Sequence, residues 1–173
     1  MEDFSPEFSY IVDTTRLPAA GLKVSAAADG AALTALAKRL SLEYLKSLTV
    51  EALVKPVNKR QVRLTGTVEG VAGRICVVSL RPFESVVKED FSVLFEAQEA
   101  EDVRKTEIDL DFSEDEDKDD LINNKIDVGE TAVEYFSLAL DPFPRAPDAV
   151  FTDRIDAGEK ENPFAVLEKL KDS

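Results

Sequence analysis

The chain has 173 residues, 35 of them acidic and 21 basic, which gives a net charge of −14, a pI near 4.4 and not one histidine. That balance excludes nucleic-acid binding by a broad positive field, and it removes the commonest general base and the commonest metal ligand together. A single cysteine, Cys76, excludes an intrachain disulfide, and with neither an apolar leader in MEDFSPEF nor a run of ~18 apolar residues the expected location is the cytoplasm.

Phe8, Tyr10 and Val12 alternate with Ser9, Ile11 and Asp13, and LKVSAAA follows the break at Leu17-Pro18 and Gly21. Together they read as one edge hairpin. Asp29 is placed to cap a helix ending near Ser41, with Leu33, Leu36, Ala37 and Leu40 along one side. From Leu45 to Val57 the alternation of Leu48, Val50, Ala52 and Val54 predicts a strand, closed by Pro56 and Asn58.

Three apolar runs then fill Arg60 to Phe95: QVRLTGTV, RICVVSL and FESVVKEDFSVLF. Val62, Leu64 and Val68 share one face of the first, and Phe91, Val93 and Phe95 one face of the last. The middle run is apolar on both faces, Ile75 and Val77 on one and Cys76, Val78 and Leu80 on the other, which predicts a central strand covered on both sides. In this reading Gly70 to Gly73 form the turn before it, and Pro82 stops or bulges its pairing.

Residues 99–120 hold 12 acidic and 3 basic side chains, so an acidic, mobile loop is expected there. Asn123-Asn124 then reads as a turn, Ile126 and Val128 as a short extended piece, and Gly129 to Leu140 as a helix with Ala132, Val133, Phe136 and Leu140 on one face. Pro142, Pro144 and Pro147 make an irregular connector, and Asn162-Pro163 opens a short helix, FAVLEKLK, striped by Phe164, Leu167 and Leu170. That stripe suits docking on its own domain or in a partner's groove.

The pattern predicts an α+β fold: an antiparallel sheet, barrel-like or strongly twisted, of about five to seven strands with two to three helices packed on it. Residues 1–148 are expected to form a single domain carrying the loop at 99–120, and residues 149–173 the connector and C-terminal amphipathic helix.

Chemistry is sparse. Asp109, Asp111, Ser113, Asp115 and Asp117 imitate a calcium loop, but Glu114 stands where the sharp turn needs glycine and Asp120 where a bidentate glutamate belongs. Cys76 lies in an apolar run with no histidine to activate it, so it reads as a buried structural thiol. Glu130 and Glu134, one helical turn apart, read as a solvated face. Lys55, Lys59, Arg60, Arg63, Arg74 and Arg81 are the basic concentration of the chain, either gathered at one end or face of the sheet or scattered along its rims. With no phosphate loop, nucleophile elbow or metal-spaced cysteine pair, no enzymatic activity, cofactor, metal or small-molecule substrate is expected.

Three segments carry a resemblance: CVVSLRPFESV from Cys76, KIDVGETAVEYFSLALDPFPRAP from Lys125, and NPFAVLEKLK from Asn162. In sequence and order they resemble the bacterial YceD family, the large ribosomal RNA subunit accumulation proteins, and most closely its alphaproteobacterial form. The matching positions are Cys76, Leu80, Pro82, Asp127, Gly129, Glu130, Glu134, Pro144 and Arg145. Many family members carry a second cysteine near the position of Ser79 and a further cluster near the C-terminus; this chain has neither, so no metal ligand is carried over. The resemblance implies a non-enzymatic factor for accumulation or processing of large-subunit ribosomal RNA. Its expected partners are that RNA, contacted through Lys55, Lys59, Arg60, Arg63, Arg74, Arg81 and Arg145, or a large-subunit ribosomal protein or assembly factor. The alternative is an acidic adaptor or chaperone holding a basic ribosomal protein or assembly factor, which the net charge favours.

Overall fold

The computed structural model describes residues 6–97 and 117–150. The expected C-terminal helix, and the acidic stretch up to residue 116, lie outside them.

The described residues form seven strands and two α-helices in the order β1 (Ile11–Asp13), β2 (Leu22–Ala27), α1 (Gly30–Arg39), β3 (Tyr44–Pro56), β4 (Gln61–Ile75), β5 (Pro82–Glu96), β6 (Asp117–Asp120), β7 (Lys125–Asp127) and α2 (Val128–Ala139), with a 3-10 turn at Thr14–Arg16. Five strands make one sheet, ordered β2-β3-β4-β5-β6, and β1 and β7 make a separate pair. All pairings are antiparallel except β5 with β6. Among the described residues the sheet is open, with β2 and β6 as its edges, so the expected α+β class holds and the barrel-like form does not.

The alternation read from the sequence decides the core. Leu48, Val50 and Val54 of β3, Val62, Leu64 and Val68 of β4, and Phe91, Val93 and Phe95 of β5 are all buried in one cluster with Leu36 of α1 and Phe136 of α2. The helix α1 packs on β3, and α2 on β4 and β5. Asp29 caps α1 as expected, its Oδ1 accepting the Ala32 N–H at 2.8 Å. Among the described residues no helix is long and apolar enough to cross a membrane.

Three sequence expectations fail, each for an identifiable reason. The run from Ile75 to Leu80 is not a central strand. The central strand is β4, which passes straight through Gly70 and Gly73, and Cys76–Leu80 is the turn that follows it. The glycines serve close packing instead of a turn. A Cβ on Gly70 would sit 2.7 Å from the Phe136 ring, and one on Gly73 would collide with the Tyr44 ring. Second, β1 and β2 do not form a hairpin: β1 pairs with β7, while β2 pairs with β3. The 3-10 turn and Gly21, at φ +87°, send the chain away between them. Third, the end of the acidic stretch is ordered, because Asp117–Asp120 lies beside Val93–Glu96 as β6. The Tyr135 hydroxyl donates to Asp117, and the Tyr135 ring stacks on Phe91 at 5.2 Å, so α2 holds β6 in place.

Candidate nucleic-acid interface

The basic residues do not form one patch. They divide between the two ends of β4. At one end, β3 and β4 are joined by a tight turn in which the Asn58 side chain accepts the Arg60 and Gln61 N–H groups at 2.8 and 2.9 Å. Lys55 lies directly opposite Arg63 across the pair, and Lys59 and Arg60 occupy the turn. All but the half-buried Arg63 are exposed. The turn is tied to the end of β5: Ala97 N–H donates to the Arg60 carbonyl at 2.9 Å, and the Arg60 guanidinium donates to the Ala97 carbonyl at 3.2 Å. Four cations thus sit on a well-fixed hairpin end.

Carboxylates stand close by. Asp119 pairs with Phe95 and Asp120 with Glu96, while Phe95 pairs with Val62. Two strand spacings place the acidic edge roughly 10 Å from the hairpin end, about one screening length in physiological salt.

The other end holds Arg74 and Arg81. Arg63 and Arg74 are eleven residues apart on β4, about 36 Å at a rise of roughly 3.3 Å per residue. The turn between β4 and β5 is closed by the Cys76 N–H donating to the Arg81 carbonyl and the Leu80 N–H donating to the Cys76 carbonyl, both at 2.9 Å. Leu80 adopts φ +55°, and its side chain is 76% exposed. The expected irregular connector crosses here: Val77 N–H donates to the Pro144 carbonyl at 2.9 Å, which brings Arg145 to the same end. Pro82 is the first residue of β5, at the last rung of the pairing.

Cys76 is buried as expected, but in this turn and not in a strand. Hydrogen-bond donors set its acidity. The Ser79 hydroxyl foremost, then the N–H groups of Ser79, Ala146 and Val78, lower the thiol to about 7. The Ser79 N–H lies 3.4 Å from Sγ. A Cys-x-x-Ser spacing was the signal for this, legible once the segment is taken as a turn.

The motif around Asp127 is structural. Asp127 caps α2, its Oδ1 accepting the Gly129 and Glu130 N–H groups at 3.1 and 3.2 Å. The same carboxylate accepts the Tyr10 N–H at 2.9 Å and the Ser9 hydroxyl at 2.5 Å, so it also fastens the N-terminal segment. Gly129 permits that approach, since a Cβ there would sit 2.6 Å from the Phe8 carbonyl oxygen. Glu130 pairs with Arg39 of α1 at 2.5 Å, and Arg39 also reaches Glu7 at 3.0 Å. This clamp raises the Arg39 pKa, through Glu130 above all. It joins both helices to the N-terminal segment, and sequence spacing gave no hint of it. Glu134 is exposed and lines a shallow groove with Asp117, Asp119 and Thr131. Among the described residues no group of three or more histidine, cysteine or acidic side chains is arranged to hold a metal ion.

Neither a curated protein nor a solved structure matches the chain. A family model does match, over residues 64–171, a stretch that takes in β4 from Leu64, the turn at Cys76–Leu80, β5, α2 and the connector. Arg74, Arg81 and Arg145 fall within it, whereas Lys55, Lys59, Arg60 and Arg63 precede it. On that match, which covers well over half of its length, the chain belongs to the YceD family, the large ribosomal RNA subunit accumulation proteins.

Proposed function

We propose that the protein is a non-enzymatic cytoplasmic factor that supports accumulation of large-subunit ribosomal RNA by contacting that RNA directly. Membership of the YceD family carries this reading. The cations of the β3–β4 hairpin end support the reading. Lys55 and Arg63 are opposite one another in the pairing there, and Lys59 and Arg60 are exposed in the turn. On a chain of net charge −14, a phosphate backbone approaches only where cations outnumber nearby carboxylates. The nearby β6 edge, with Asp117, Asp119 and Asp120, limits affinity and so favours reversible contact, as suits a factor that leaves the finished particle.

The test is made in cells that lack the protein and carry either the natural chain or a Lys59→Glu, Arg60→Glu, Arg63→Glu variant. The ratio of large- to small-subunit ribosomal RNA should be restored by the first and not by the second, with both proteins present at equal levels. Full restoration by the variant would remove this hairpin as the contact.

A further inference from the structure

The two cationic ends are held apart by a stiff element. The strands β4 and β5 pair without a register shift from Gln61↔Glu96 to Ile75↔Pro82. The sheet surface between the ends carries Glu51, Glu69 and Asp90 against Lys23 and Lys88, and Lys88 is already 3.6 Å from Glu69. A phosphate backbone is therefore repelled along the middle of the sheet and admitted at its ends. At the Cys76–Leu80 end the cations are all arginines on two segments joined by the Val77–Pro144 bond: Arg74 and Arg81 flank the turn, and Arg145 follows Pro144. The nearby Glu84 is engaged by Lys46 at 3.0 Å, so it offsets these arginines less than a lone carboxylate would. The guanidinium fork suits paired phosphate oxygens. This end also lies wholly inside the stretch that matches the family, unlike the hairpin end.

We infer that the protein touches RNA at two points, the β3–β4 hairpin end and the Arg74–Arg81–Arg145 end, and so holds two RNA segments about 36 Å apart, with the paired strands as a spacer. The inference rests on the proposed RNA contact and adds its second half. Two tethered contacts bind one RNA more tightly than either alone, because the second contact is made intramolecularly.

The experiment measures affinity for a large-subunit ribosomal RNA fragment against salt concentration. Seven phosphate contacts give a log–log slope between about −5 and −6, an affinity loss of about a thousandfold or more from 50 to 200 mM salt. Neutralising Lys59, Arg60 and Arg63 to glutamine, or separately Arg74, Arg81 and Arg145 to glutamine, should each make the slope shallower by about 2 to 3, leaving a loss of roughly 50- to 150-fold. Combining both sets should leave a slope near −1. Arg74→Lys, Arg81→Lys and Arg145→Lys together keep the charge and should restore the steep slope, which separates lost contacts from a damaged fold. If the Arg74, Arg81 and Arg145 glutamine variant keeps the natural slope, contact is single-ended and the inference is overturned, while the proposed function stands. If the natural protein shows no salt-sensitive binding, the proposed function fails and the inference with it.

Discussion

Replacing Asp127 by alanine tests how the α2 motif works. One carboxylate caps the helix through Gly129 and Glu130 and also holds Ser9 and Tyr10. Loss of an N-cap costs about 1 kcal/mol, and each additional hydrogen bond contributes about 0.5 to 1.5 kcal/mol. The Ser9 and Tyr10 bonds are solvent-accessible, which favours the lower figure for each. Asp127→Ala should therefore destabilise the fold by about 2 to 3 kcal/mol. For a chain of this size that lowers the melting temperature by roughly 4 to 12 °C. Asp127→Asn keeps an acceptor at Oδ1 and should cost less than about 1 kcal/mol. Thermal unfolding followed by far-ultraviolet circular dichroism measures both. An alanine variant melting within about 2 °C of the natural protein would refute the capping role, and an asparagine variant as damaged as the alanine one would show that charge, not acceptor geometry, matters.

Two further predictions follow from packing and from the thiol. Gly70→Ala should cost about 1 to 3 kcal/mol because its methyl group meets the Phe136 ring, and Phe136→Leu should relieve part of that cost. A double-mutant cycle by denaturant unfolding should show coupling of about 1 kcal/mol; strict additivity would contradict the close contact. The Cys76 thiol should ionise with a midpoint near 7, read from thiolate ultraviolet absorbance, and Ser79→Ala should raise it toward the ordinary value of about 8.5. Because the folded-state value is the lower one, ionisation adds stability that is complete above about pH 8.5 and lost as pH falls through about 7. The stability advantage over Cys76→Ser should therefore grow with pH across that interval, and a flat difference would refute the donor cage.

Sequence periodicity located most of what the core uses. The alternations at Leu48–Val54, Val62–Val68 and Phe91–Phe95 and the helical faces of Leu36 and Phe136 all point inward, because a buried face needs apolar groups at the period of its element. The errors came where one residue type serves two ends. Gly70 and Gly73 look like a turn, but they are sites where aromatic rings press against the strand. Val77 and Leu80 look like core, yet they sit in a solvent-facing turn. Strand partners separated by the whole chain, as in β1 with β7, leave no local trace. The same blindness applied to the basic residues, since their division between two ends depends on β4 being one long strand. The Arg39 clamp on Glu7 and Glu130 was likewise invisible, being a meeting of three distant segments.

The central claim is direct contact between this protein and large-subunit ribosomal RNA through the ends of its sheet. Zero-length ultraviolet crosslinking in living cells, followed by nuclease digestion and peptide mapping, tests it most directly. Nucleotide adducts should appear on the peptides that span Lys55 to Arg63 and Arg74 to Arg81, and the attached RNA should be of the large subunit. Adducts confined to other peptides, or none on a protein that still restores the RNA ratio, would contradict the account.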